Sequence, residues 1–249
     1  MSNAPRRHFL ASAATATAAL AAPRDPQIGI LLGTTYTSGT LEARLDEAKA
    51  HGLACIQISM SCAGLADLPD ELPTGLADKF RREAAARGLA LASATGTFNM
   101  AHPDPAHRQQ GLRRLRVLAE AFPGLPIHIC TGTRDERSMW RRHAGNVTPE
   151  AWRDMAACVR DAAKIAGETK SVLAFEPEIN NIVTSARQAR RLMDEVGSKY
   201  VKVTLDPANL FPAGALPRMK EILEEAFALV GMHDHRPAGR LRPKSHGFA

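Results

Sequence analysis

Two glutamates stand at the end of an apolar run. The stretch VLAFEPEINN, residues 172–181, opens on Val172, Leu173, Ala174 and Phe175 and then turns to Glu176, Pro177 and Glu178. A carboxylate that continues a buried strand is costly unless a cation or a hydrogen-bond donor meets it. A second acid, Asp206, closes another apolar run in VTLDPANLF, with Asn209 three residues on. Carboxylates from two neighbouring strands make half of an oxygen-rich site for a divalent cation. Two further polar clusters follow apolar runs: ATGTFNMAHPD holds Asn99, His102 and Asp104, and CTGTRDERSMWRRHAGN holds Arg134, Asp135, Trp140 and His143.

Each of these residues has a plainer use. Glu178 reads equally as a solvated loop residue, and Asp206 before Pro207 as the cap of a turn. His102 and His143 read as surface side chains. Trp140 either packs over the mouth of the fold or lies against a ligand, and Arg134 and Asp135 answer each other's charge. Glu176 is the hardest to assign this way, because it directly continues a buried strand.

The elements that must position these groups repeat one pattern of strand, loop, helix and glycine. Strands are expected at 28–32, 55–59, 89–93, 127–130, 172–175 and 200–205. Helices are expected at 41–51, 76–87, 106–122, 149–167, 186–197 and 217–230. Leu41, Leu45 and Ala48 share a face in the first. Gly52, Gly88, Gly167 and Gly197 read as C-terminal stops, Thr148 with Pro149 and Ser185 as starts. Met219, Ile222, Leu223, Ala226 and Leu229 form the apolar stripe of the sixth.

Alternating units of this length argue a parallel sheet, either a β/α barrel or a doubly wound sheet, with the chemistry at the carboxyl ends of the strands. The first turn, GTTYTSGT, is not the glycine fingerprint of a dinucleotide site. After Gly231, where a seventh strand is due, the chain reads MHDHRPAGRLRPKSHGFA, with two prolines and no apolar run. The expected domain therefore spans 23–231 as six units, and 232–249 is an irregular basic tail.

The chain has 249 residues, 45% hydrophobic, with a net charge of +6. Residues 1–22 carry +2 of it and 232–249 carry +3, which leaves the body at +1. A nearly neutral body argues against a nucleic-acid surface, and no apolar run is long enough to insert in a membrane. Cys55, Cys62, Cys130 and Cys158 have no C-x-x-C spacing and read as buried thiols. At the N-terminus, Arg6 and Arg7 before Phe9-Leu10, an Ala/Thr stretch and Ala19-Leu20-Ala21 resemble a twin-arginine export signal over 1–22. The expectation is export to the periplasm; a leader on a cytoplasmic protein is the alternative.

Together, GTFNMAHPD, CTGTRD, the MW…H…N segment, FEPEINN and LDPANLF resemble the sugar phosphate isomerase/epimerase family of xylose-isomerase-like barrels. The resemblance covers about 26–231. It implies a TIM-type β/α barrel, here incomplete, with six units readable and the last two missing. It also implies a divalent metal (manganese, magnesium, cobalt or zinc), with Glu176 and Asp206 as ligands in an incomplete set. The implied reaction is proton transfer next to the carbonyl of a sugar or sugar phosphate. Glu176 would be the base, and His102, Arg134, Trp140, His143 and Asn209 would contact substrate, with Phe98 as apolar surface. The family's seventh-strand histidine and eighth-strand glutamate have no counterpart, and His233 or His235 is the candidate substitute.

Three alternatives accompany this reading: an inactive, sugar-binding barrel, the product of a shifted reading frame, and a barrel resembling abasic-site endonucleases. An open barrel leaves two sheet edges and implies pairing into a homodimer.

Overall fold

The computed structural model describes residues 27–211 and 214–230. The sheet has six strands: β1 Gly29–Leu31, β2 Cys55–Ile58, β3 Ala90–Thr95, β4 Ile127–Cys130, β5 Leu173–Glu176 and β6 Val201–Val203. Every neighbouring pair is parallel, and the spatial order β1-β2-β3-β4-β5-β6 is the order of the chain. A doubly wound sheet reverses direction part-way, and this one does not. The fold is a TIM-barrel-like α/β fold. The barrel is not closed: among the described residues β1 and β6 have one strand neighbour each.

The helices are α1 Leu32–Thr35, α2 Leu41–Ala50, α3 Leu76–Ala86, α4 Pro105–Ala121, α5 Pro149–Thr169, α6 Ala186–Val196, α7 Pro207–Leu210 and α8 Met219–Val230. Their starts follow the sequence signals. Thr40, Asp104, Thr148, Ser185 and Asp206 each accept a backbone N–H from the first turn of the helix that follows.

Three expectations are corrected. The fifth helix does not stop at Gly167 but runs to Thr169, and Lys170 takes the left-handed conformation at φ 58°. Gly167 instead faces the Tyr200 ring, which would lie 3.3 Å from any Cβ there. Residues 216–218 form a separate tight turn before α8, and Met219 is exposed rather than part of the buried stripe. The sixth strand is three residues long, half the length expected.

Paired residues in parallel strands share a face. Ile56, Ile58, Ala94, Ile127, Ile129, Leu173 and Phe175 pack under the helices and are fully buried or nearly so. The other face carries Gln57, Thr95, His128, Ala174, Glu176 and Lys202, all half-buried. Gln57 Nε2 donates to Thr95 Oγ1 across it, at 3.0 Å. One side of the sheet is therefore hydrophobic core and the other a polar inner wall. The core is one continuous cluster through α5, whose ten buried residues include Trp152, Met155 and Ile165. A separate small cluster of Ala186, Leu210 and Ala226 holds the sixth unit. All four cysteines are free and buried, as expected.

Candidate active site

The carboxyl ends of β4, β5 and β6 converge on a cavity of about 300 Å3 lined by His128, Cys130, Trp140, Glu176, Glu178 and Asn209. Glu176 ends β5, opposite Cys130 at the end of β4. Its side chain is 19% exposed, and its Oε2 lies 3.6 Å from His128 Nε2. The Asn209 amide answers much of the question that a carboxylate at a strand end raises. Its Nδ2 donates to Glu176 Oε1 and, at 3.2 Å, to Asp206 Oδ2. Asp206 Oδ1 also accepts from the Ala208 N–H at 2.8 Å, so it caps α7 while it faces Asn209.

The electrostatics are those of crowded acids. Burial pushes the Glu176 carboxyl above the usual carboxylate range. The charges of Asp206 and Glu178 push the same way, and the Asn209 hydrogen bond opposes them. Burial also raises Glu178, against hydrogen bonds from the Asn180 N–H at 3.2 Å and Asn181 Nδ2 at 2.7 Å. Burial lowers the His128 imidazole, which favours its neutral form. Glu178 is thus not the solvated loop residue of the plainer reading.

Three buried asparagines stitch these loops together. Asn181 accepts from the Gly132 N–H at 2.7 Å and donates to the Met139 carbonyl at 3.1 Å. Asn99 accepts from the Thr133 N–H at 2.9 Å and donates to the Asp135 carbonyl at 3.1 Å. Asn146 joins the Arg134 N–H to the Asn180 carbonyl. Close approach at the β4 turn requires glycine at 132, which has φ 73° and where a Cβ would meet the Asn99 carboxamide at 2.1 Å.

The structure brings together Glu176, Asp206, Asn209 and Trp140 from the sequence-derived set. It does not bring in the others. Arg134 turns toward α5, donating to Asp154 Oδ2 at 2.7 Å and to the Ala101 carbonyl at 3.3 Å. It is not paired with Asp135, which caps its own turn through the Arg137 and Ser138 N–H groups.

His102 is 7% exposed, not a surface side chain. It stacks on His107 with ring centroids 4.0 Å apart. With Phe98 it lines a different cavity of about 330 Å3. His143 accepts from the Gly145 N–H at 3.0 Å and lines a third. His233 and His235, the 1–22 signal and the basic tail lie outside the described residues.

His128 and Cys130 were not among the sequence candidates. Their signal was the spacing: two positions apart on β4, they share the face on which Glu176 stands.

Glu176 and Asp206 offer carboxylate oxygens under a like-charge repulsion that a divalent cation would relieve, and in type and charge they fit one. They do not complete a cage, because among the described residues no three His, Cys, Asp or Glu side chains are grouped to hold a metal.

The family model described as xylose isomerase-like TIM barrel matches residues 45–246. The chain belongs to this family. The match runs past Gly231, where the resemblance read from the motifs stops. No curated protein matches the sequence. Among solved structures, a 3-keto-D-glucoside 4-epimerase from E. coli is 16% identical, over 83% of this chain and 77% of that one, with a TM-score of 0.63. A D-psicose 3-epimerase from Clostridium cellulolyticum H10, solved with D-tagatose, is 16% identical over 82% and 71%, TM-score 0.63. A xylose isomerase-like TIM barrel protein from Mycobacterium smegmatis in complex with magnesium is 17% identical over 80% and 71%, TM-score 0.56. At these identities the likeness is one of fold. No described helix is long and apolar enough to cross a membrane.

Proposed function

We propose that this xylose isomerase-like barrel is a sugar isomerase or epimerase that moves a proton at the carbon next to a carbonyl. The observation that carries the reading is the state of Glu176. It is a half-buried carboxylate at the end of a barrel strand, raised above its ordinary range and facing a cavity sized for a small molecule. A carboxylate held at a strand end beside such a cavity is placed to take up a carbon-bound proton and return it. Glu178 lies on the same wall, and Trp140 offers an apolar face to the carbon side of a sugar. Asn209 orients the Glu176 carboxylate by donating to one oxygen, which leaves Oε2 toward the cavity side where His128 stands.

The proposal includes a divalent metal, as in the magnesium-bound relative, with Glu176 and Asp206 as its ligands. When bound, such an ion polarises a carbonyl and stabilises the negative charge that proton removal creates. The substrate is a free sugar or a sugar phosphate. Export by the twin-arginine route and pairing of two copies through the open edges of β1 and β6 complete the proposal.

The test is proton exchange in D2O. The chain is incubated with a panel of ketoses and 3-keto sugars, with manganese, magnesium, cobalt or zinc supplied. The expected result is deuterium at the carbon beside the carbonyl, lost in Glu176→Gln. Absence of exchange with every metal and sugar overturns the catalytic reading. A second reading is sugar binding without turnover; among the described residues the sheet is unclosed and no three His, Cys, Asp or Glu side chains are grouped to hold a metal. Binding alone would appear as quenching of Trp140 fluorescence by a sugar that never exchanges.

A further inference from the structure

A groove of about 710 Å3 lies beside the acidic cavity. It runs between the loop after β4, the first turns of α5, the turn after β5, and α6. Its charged side chains are Arg142, Arg153, Arg191 and Glu195, and His143 also lines it. The charge is thus three guanidinium groups against one carboxylate, in a chain whose body is nearly neutral.

That carboxylate is already engaged. Glu195 accepts from Trp152 Nε1 at 2.7 Å and from Arg160 at 3.3 Å. Arg191 lies with its guanidinium carbon 4.0 Å from the centre of the Trp152 ring, so the indole holds it flat along the wall. Arg142 and Arg153 have no acidic partner among the described residues. Ile179, Ile182 and Val147 supply an apolar side to the same groove.

Three guanidinium groups around one concave space match a group with several acceptor oxygens and two negative charges, which a neutral sugar lacks. The apolar wall matches the carbon portion of an ester. We infer that this groove is a binding site for a phosphate-bearing small molecule, separate from the Glu176 cavity. The two sites share the turn after β5: Asn181 lines the groove and donates to Glu178 in the cavity.

The inference stands apart from the catalytic reading, because its test needs no turnover. The chain has two tryptophans, so in a Trp140→Phe variant Trp152 alone reports on the groove. The probes are glucose 6-phosphate, inorganic phosphate and glucose.

Glucose 6-phosphate should change the Trp152 emission saturably, and added salt should weaken the effect. Arg142→Ala with Arg153→Ala should raise its Kd at least about tenfold, as expected for the loss of charge-assisted hydrogen bonds. Tighter binding of the ester than of inorganic phosphate assigns the groove to an organic phosphate; equal binding assigns it to the free ion. The inference is overturned if glucose 6-phosphate gives no saturable change up to about 10 mM, a limit of weak millimolar affinity. It is also overturned if glucose acts as well, or if the double variant binds like its parent. Circular dichroism of that variant separates lost binding from lost fold.

Discussion

The acidic cavity and the basic groove lie on either side of the turn after β5 and are built in different ways. The cavity takes its acids from the end of β5 and the turn after it, on side chains held by buried Asn181 and half-buried Asn209. The groove takes its cations from exposed positions on a loop and two helices, on long stems, one of them laid over the Trp152 ring. Proton transfer needs groups held to fractions of an ångström, and a sheet supplies that. Capture of an anion needs charge within reach, and long arginine side chains supply that. The difference teaches that the proposed reactive site is set apart by how its charges are held and not by how many it has.

The sharpest way to break the comparison is at Glu176. Glu176→Gln should lower proton exchange by about 10²- to 10⁴-fold, the scale of general acid–base catalysis, as followed by deuterium incorporation. It should leave the binding of phosphate esters in the groove unchanged. If both fall together, the two regions are one site.

Asn181 is the shared support and is 2% exposed. Asn181→Leu removes the acceptor of the Gly132 N–H and the donor to Glu178. The expected loss is about 2–3 kcal/mol, the scale of a stranded buried donor, read as a lower urea midpoint.

A smaller effect carries a sign. The folded-state pKa of Glu178 is raised above its ordinary 4.5, so the ionised form is disfavoured in the fold. Stability from this group is present at low pH and is lost as pH rises through the raised value. Glu178→Gln should therefore raise the urea midpoint at pH 7, and the gain should vanish as pH falls toward 4.5. A gain that is the same at both pH values would show that charge is not its source.

The smallest effect is a silence. Burial pushes the thiols of Cys130, on the cavity wall, and Cys158 up to about 12. Neither should react with a disulfide reagent at pH 8 until urea unfolds the chain. Labelling of native Cys130 would mean that the cavity wall opens to solvent.

Much of this was legible in the sequence, for local reasons. Gly52, Gly88 and Gly197 follow helix ends and take positive φ, as stop signals do. Gly167 carried the same letter for a different reason, the approach of Tyr200, and only the tertiary neighbour distinguishes the two. Glu176 was legible because a charge ending an apolar strand conflicts with burial.

Arg134 was not legible. Its place after a strand end suggested the cavity, but Asp154 on a helix 20 residues later draws it away. His128 was missed because Ile127 and Ile129 made the strand read as core. The period of two that sends its side chain to the inner wall becomes visible once β4 is set in register with β5.

The order of the strands has a consequence for assembly in time. Each strand after the first pairs with the one made just before it, so among the described residues no strand waits for a distant partner. Loop closures stay short, and ordering can follow synthesis from the first unit onward. Glu176 and Asp206 belong to the fifth and sixth units. The acids that repel each other are then brought together after the first four units, onto a scaffold whose core is already in place.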